Sequence, residues 1–301
     1  MTRNNLECGD LSPLCSLTTM TCGRKAATSR RTPNYTMLFN VNHTTTYRYS
    51  APVMLEPHVF RMRPRADATH RLIAYQLGIH PAPAGRSECL EAEGNSVVQA
   101  WFDAPISTLE LSSQFSLETL RDNPFDFLLP PPSQLQLTPA TGVSPQLGEF
   151  AREMARHAGE QTMTFLELLA QRLCRDWRQV IREEGDPLTA EAVLGVSDVS
   201  CRDLAVLFCG ACRAMNLTAR FVSGYEVGSA TAERGYMHAW AEVYLPGGGW
   251  RGYDPSRGVA VGADHVAVAA AANPAMAAPM SGTYRGSAKS VMEAMIQMQV
   301  R

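Results

Sequence analysis

Cys201 is the residue whose neighbours most favour chemical reactivity. It stands in the run Val-Ser-Cys-Arg-Asp, directly before an apolar stretch. Ser200 and Asp203 are three residues apart, which is the spacing of a capping box at the start of a helix. Cys201 would then occupy the first helical position, where unpaired backbone N–H groups and the helix dipole favour a thiolate. This pattern makes Cys201 a candidate nucleophile, and the alternative that it is a small buried hydrophobic residue stays open at this point.

A thiolate nucleophile needs a base that can also protonate a leaving group, and histidine titrates in a suitable pH range. Among the seven histidines, His238 stands at the head of the strand-like segment HAWAEVYL. The next segment, GWRGYD, ends on Asp254, and the short turn between the two segments predicts antiparallel neighbours. Asp254 could therefore hold the imidazole. The same pattern also fits a structural histidine and an aspartate that only ends a strand, so this alternative stays open.

The remaining cysteines do not suggest a metal site. Cys209 and Cys212 fall on or beside the apolar stripe of the same predicted helix, and the sequence holds no second pair that would complete a zinc site with them. Cys8, Cys15 and Cys22 recur every seven residues with no histidine nearby, which is a poor ligand set for zinc. We therefore expect no metal and no cofactor.

The elements that must position these residues fall into two regions. Residues 37–130 show period-two alternation broken by Pro, Gly and Asn. One face of the clearest strand carries Leu109, Leu111, Ser113, Phe115 and Leu117. This pattern predicts an N-terminal β-rich domain. The proline-rich residues 131–145 are typical of a linker.

The second region, residues 146–301, changes to helical periodicity. Three helices are predicted: Leu147 to Ala158; Phe165 to the segment EEGDP, with Trp177, Val180 and Ile181 on its apolar face; and Cys201 to Met215. Strands then follow at Thr218–Tyr225, Met237–Leu245 and Trp250–Asp254. Helices followed by a run of strands indicate the α+β class, with helices packed on an antiparallel sheet.

Composition and charge narrow the class of protein. The chain has 301 residues, enough for about two domains, and its 45% hydrophobic and 19% charged residues are typical of a globular protein. The net charge of 27 − 29 = −2 gives no bulk attraction to nucleic acid. No apolar run approaches the roughly 18 residues of a membrane span. Residues 1–36 lack the apolar segment of a secretory signal, so we expect a disordered leader and a cytoplasmic protein.

Three separated segments of the core resemble the Cys, His and Asp blocks of the bacterial transglutaminase-like cysteine enzymes. They are VSCRDLAVLFCGACRAMNLTARFVSGY, HAWAEVYLP and GWRGYDPSRG. In the first region, YRYSAPV and WFDAPIS…LETLRDNPFDFLLP resemble the N-terminal domain that precedes this core in many members. The resemblance covers residues 37–286. It implies a papain/transglutaminase-like core in which Cys201 is the nucleophile, His238 the general base and acid, and Asp254 the residue that orients His238.

The activity implied by this resemblance is acyl transfer at an amide of a protein or peptide through a thioester on Cys201. Resolution by water would make the protein a cysteine peptidase or amidase, and resolution by an amine acceptor would make it a protein-glutamine acyltransferase. The backbone N–H of Cys201 is the expected oxyanion donor, with an indole such as Trp177 or Trp240 as a candidate second donor.

A catalytically silent module that binds a peptide or protein on the same scaffold is the alternative function. Arg61, Arg63 and Arg65 alternate and could place three cations on one strand face, which suits an acidic partner or keeps a sheet edge from aggregating. Neither function involves nucleic acid or a membrane, and the sequence leaves the oligomeric state open.

Overall fold

The computed structural model describes residues 36–130, 142–182, 185–228 and 235–301, and all of them belong to one unit of the chain. Residues 1–35 of the predicted leader (residues 1–36) and most of the linker at residues 131–145 lie outside the described residues. Among the described residues, no helix combines the length and the apolar character needed to cross a bilayer.

The first region folds into antiparallel strands. Its strands are β1 (Leu38–Leu55), β2 (His58–Phe60), β3 (His70–His80), β4 (Gly85–Leu90), β5 (Ser96–Trp101) and β6 (Ile106–Thr119). β1 and β3 pair with the two edges of β6, and β2 and β4 pair with the two edges of β5. The predicted inner face of β6 is confirmed, because all five residues from Leu109 to Leu117 on that face are buried while their neighbours are not.

The second region combines helices with a second antiparallel sheet. Its elements are α1 (Pro145–His157), α2 (Thr162–Asp176), β7 (Arg178–Gln179), α3 (Ala190–Leu194), β8 (Asp198–Val199), α4 (Cys201–Ala214), β9 (Ala219–Glu226), β10 (His238–Leu245), β11 (Gly249–Asp254), β12 (Val259–Ala260), β13 (His265–Ala271), a 3₁₀ turn (Pro274–Ala277), β14 (Met280–Ser281), β15 (Tyr284–Arg285) and β16 (Ser290–Val300). The sheet order is β12-β11-β10-β9-β13. α1, α2 and α4 share one apolar core with the face of β10 that carries Ala241, Val243 and Leu245. The fold is α+β, as predicted.

The second helix is shorter than its apolar pattern predicts. α2 ends at Asp176, and Trp177 has extended backbone angles. The indole of Trp177 donates to the carbonyl of Val193, 3.0 Å away, and the chain then pairs β7 with β8 in parallel. The prediction that Val180 and Ile181 continue the buried face is wrong, since Ile181 is 71% exposed.

The last strands of the chain pair with the first ones. β16 runs antiparallel to β1 from the pair Phe39–Val300 to the pair Tyr49–Ser290. β14 extends the sheet of β2, and β15 pairs with the end of β1. The division of the sequence that gives residues 146–301 to the core therefore differs from the structure, because residues 280–300 complete the sheets of the first region.

The two regions also share an apolar core. Phe39 and Leu117 of the first region and Tyr225 and Val266 of the second belong to one buried cluster, to which β16 adds Ile296. Side chains from β1, β6, β9 and β13 thus fill the same space. This packing fixes the N-terminal sheet against the strands that carry the site described next.

Candidate active site

The start of α4 holds Cys201 in a fixed position. Ser200 is the N-cap residue and forms a capping box with Asp203, as predicted. The backbone N–H of Ser200 donates to Asp203 Oδ2 at 2.8 Å, and Arg182 Nη2 donates to Asp203 Oδ1 at 2.7 Å. Burial raises the pKa of Asp203, but these bonds, a third from the backbone of Leu188 and the charge of Arg182 hold it below its usual range. The half-buried Cys201 therefore begins a helix anchored by an ionised carboxylate.

His238 and Asp254 meet where β10 and β11 lie side by side. His238 Nε2 is 2.7 Å from Asp254 Oδ2, and the Asp254 side chain is fully buried. Cys201 lies beside His238 on the wall of the same cavity and is one of the groups that raise the pKa of His238. Because the imidazole has only two nitrogens, Nδ1 is the atom available to the sulfur. The structure thus brings the three residues singled out from the sequence into one connected group.

The electrostatics of this group favour a charged imidazole. Burial lowers the pKa of His238, but the hydrogen bond to Asp254, the neighbouring Cys201 and the charges of both groups raise it to about 10. Burial raises the pKa of Asp254, and the hydrogen bonds from His238 and a second histidine, His265, bring it below its usual range. At neutral pH the arrangement is therefore a carboxylate next to an imidazolium, with the sulfur on the other side of the ring.

Asp254 accepts more hydrogen bonds than the sequence analysis foresees. Its Oδ1 accepts from Ser256 Oγ at 2.6 Å, from the Ser256 N–H at 2.9 Å and from the Arg257 N–H at 3.2 Å. Its Oδ2 also accepts from His265 Nε2 at 3.0 Å. Sequence reasoning missed His265, whose only local signal is an Asp-His pair at the head of an apolar strand.

Neither of the two indoles considered as oxyanion donors lines the cavity onto which Cys201 opens. Trp177 already donates to Val193, so that prediction is wrong. Trp240 stacks on His238 at 6.3 Å between ring centroids and is not part of the cavity wall. Its buried Nε1 has no hydrogen-bond partner among the described residues. The backbone N–H of Cys201 remains a candidate donor, because the first N–H groups of a helix have no acceptor within the helix.

The other cysteines on α4 lie in the apolar core. Cys209 is 2% exposed and Cys212 is fully buried, as predicted. Burial raises the pKa of Cys209 to about 12 and that of Cys212 well above its usual value. Among the described residues, His238, Asp254 and His265 are the set close enough to hold a metal ion, with ligand atoms within 4.8 Å of one another. Their nitrogen and oxygen atoms already satisfy one another by hydrogen bonds.

Cys201 and His238 open onto a cavity of about 800 Å³. Part of the wall belongs to the N-terminal sheet. It includes three cross-strand pairs between β1 and β16: His43 with Ile296, Thr45 with Ala294, and Tyr47 with Met292. The C-terminal strand and the first strand of the chain therefore shape the space in front of the sulfur.

Two segments of the chain match known families. Residues 39–118 match the bacterial transglutaminase-like N-terminal region, and residues 149–255 match the transglutaminase-like superfamily. The second match contains Cys201 and His238 and ends just after Asp254.

Several known proteins are similar to this chain over most of its length. Uncharacterized proteins of Mycobacterium bovis and Mycobacterium tuberculosis are 26% identical over 288 residues, which cover 86% of this chain and 92% of theirs. The crystal structure of a proposed cysteine protease from Cytophaga hutchinsonii superposes with a TM-score of 0.66 at 20% identity, covering 88% of this chain and 91% of that one. That likeness shows a common fold. The chain thus belongs to the transglutaminase-like superfamily, as a member whose core follows a bacterial transglutaminase-like N-terminal region.

Proposed function

We propose that this protein is a cysteine-dependent enzyme that transfers acyl groups from amides of a protein or peptide substrate. The observation that carries the proposal is the connected group itself. A cysteine at the start of a helix shares a cavity wall with His238, and Nε2 of His238 lies 2.7 Å from the buried Asp254. An imidazolium steered by a carboxylate is the arrangement that activates a thiolate nucleophile and supplies a proton to a leaving group.

In the first step, the Cys201 sulfur forms a bond to the amide carbonyl carbon while negative charge develops on the oxygen. We take the backbone N–H of Cys201 as the donor that stabilises that charge. The carbon–nitrogen bond then breaks, and the proton on His238 Nδ1 moves to the departing amine. A thioester on Cys201 and a neutral His238 remain.

In the second step, water or a primary amine attacks the thioester carbon. His238 takes the proton of the attacking group, the carbon–sulfur bond breaks, and the thiolate and imidazolium are restored. Water yields a carboxylic acid, as in a peptidase or amidase. An amine yields a new amide, as in a protein-glutamine acyltransferase.

A trapping experiment tests this function. The protein is incubated with casein, as a mixed amide donor, with and without a fluorescent primary amine, and intact mass spectrometry follows both proteins. We expect an acyl adduct on Cys201, together with either cleaved casein or amine-labelled casein. The Cys201→Ala variant should give none of these products. The Cys89→Ala variant serves as the matched control, since Cys89 is an exposed thiol on β4.

Wild-type protein that binds casein without an adduct, a cleavage product or amine incorporation would support the silent binding module. That result would overturn the proposed activity toward this class of donor.

A further inference from the structure

His265 is a buried histidine with a strong connection to the site. It begins β13, pairs across the sheet with Glu226 of β9, and is 1% exposed. Its Nε2 is 3.0 Å from Asp254 Oδ2, the oxygen that also binds His238. Its Nδ1 is 2.8 Å from Asp264 Oδ1. Both ring nitrogens therefore face a carboxylate oxygen.

The two contacts fix the protonation of the ring. A neutral imidazole has one N–H donor and one nitrogen acceptor, whereas an ionised carboxylate only accepts hydrogen bonds. Both contacts of His265 can be hydrogen bonds at once only when both nitrogens carry protons, which makes the ring an imidazolium. In agreement, burial lowers the pKa of His265, but Asp254 and Asp264 raise it above its usual value.

We propose that His265 is a positioning residue of the active site, a buried imidazolium held between Asp264 and Asp254 that fixes the carboxylate steering His238. This inference rests on the proposed function of the Cys201 group. Donors from Ser256 hold one oxygen of Asp254, and the two imidazoles hold the other. A carboxylate bound on both oxygens has little freedom to rotate away from His238.

A second effect of His265 is on charge. Asp254 Oδ2 is shared between two rings whose centroids are 6.0 Å apart. The positive charge of His265 opposes the stabilisation that Asp254 gives to protonated His238, because like charges disfavour each other at this distance. Trp240 lies edge-on to His265 at 5.1 Å, so an apolar ring covers the shared pair of imidazoles.

The surroundings of His265 hold other ionisable groups, and most of them are paired. Glu226 pairs with Arg257, and Arg257 also lies 3.6 Å from Asp264. The His70 ring hydrogen-bonds the backbone oxygen of His265. Among the described residues, the titratable and charged groups that face His265 from the elements around it are therefore Asp254, Asp264, His238, Glu226, Arg257 and His70.

Alkylation with iodoacetate tests this role without a natural substrate. The reagent is an anion, so imidazolium at His238 accelerates its reaction with Cys201, and the rate falls when His238 loses its proton. His265→Gln places an amide N–H near the position of Nε2 and keeps the donor to Asp254 without the charge. His265→Asn places the amide near Nδ1 and loses that donor.

We expect the Gln variant to keep the maximal alkylation rate within about threefold. The pH at which the rate falls should rise by about one unit, because the positive charge of His265 no longer opposes protonation of His238. The Asn variant should lose about tenfold or more of the maximal rate, since Asp254 is no longer fixed. The proposal would be overturned if both folded variants kept the maximal rate of the wild type and the pH at which its rate falls. It would also be overturned if both variants lost the same fraction of the maximal rate with no change in that pH, because a merely structural role gives this result.

A measurement on the wild-type protein covers the case in which the variants do not fold. Nuclear magnetic resonance with ¹⁵N-labelled histidine should show protons on both ring nitrogens of His265 at pH 7. An unprotonated nitrogen on this ring at pH 7 would overturn the proposal. If wild-type Cys201 shows no enhanced reactivity, the proposed function fails, and the resonance measurement still decides the charge of His265.

Discussion

Asp254 Oδ2 is the atom on which the site converges, since it lies 2.7 Å from His238 and 3.0 Å from His265. His238 and Asp254 could be identified from sequence because each stands at a strand end that local patterns predict. His265 could not be identified, because its partners are Asp254, at the end of another strand, and the preceding residue Asp264.

The environment of Arg61 could not be predicted from the local sequence either. Arg61 is buried and bound to Glu91, thirty residues away, so the predicted strand face with three exposed cations is wrong.

The raised pKa of His238 makes the stability of the protein depend on pH. The group has a higher pKa when folded, about 10, than the ordinary 6.5. Its contribution is therefore fully present below pH 6.5 and is lost as the pH rises toward 10. Urea unfolding of wild type and His238→Gln should differ most near pH 6, on the order of 3 kcal/mol, and converge near pH 10. A difference that is constant with pH would contradict a charged His238.

Among the elements, those with regular local patterns could be predicted and those defined by distant partners could not. The first and last residues of α4, β10 and β11 are each within one residue of the predicted ones. The predicted second helix is too long because the β7–β8 pairing, set by residues twenty positions apart, takes over after Asp176. β16 has no clear alternation in its sequence, and its pairing with β1 joins residues more than 240 positions apart.

Neighbouring residues of β16 give a test of its place in the sheet. Ile296 is 7% exposed in the core shared by the two regions, whereas Met295 points outward and is 61% exposed. Ile296→Ala should lower the free energy of unfolding by about 2–4 kcal/mol, because it removes buried methyl groups and leaves a cavity. Met295→Ala, the matched control, should change it by no more than about 0.5 kcal/mol. Equal effects in urea unfolding would indicate that β16 is not packed on the core.

At the scale of the whole molecule, the two regions form one structure around the site. The sequence predicts a β-rich N-terminal region and an α+β core, but it does not show that they share buried side chains or that the first and last strands wall the cavity. Contacts such as His43 Nδ1 to the Tyr225 hydroxyl, at 2.8 Å, join residues 182 positions apart. The local periodicity of the sequence does not predict contacts between residues so far apart. The N-terminal sheet is therefore part of the wall of the cavity that Cys201 and His238 line.

The central proposal is that His238 activates Cys201 as a nucleophile. Iodoacetamide labelling followed by peptide mapping tests it directly, with the exposed Cys89 and the buried Cys209 as controls in the same chain. An ordinary thiol is largely protonated at pH 6, so we predict that Cys201 reacts about tenfold or more faster than Cys89 at that pH, and that His238→Ala abolishes the advantage. Labelling of Cys201 at pH 6 no faster than that of Cys89 or Cys209 would contradict the account.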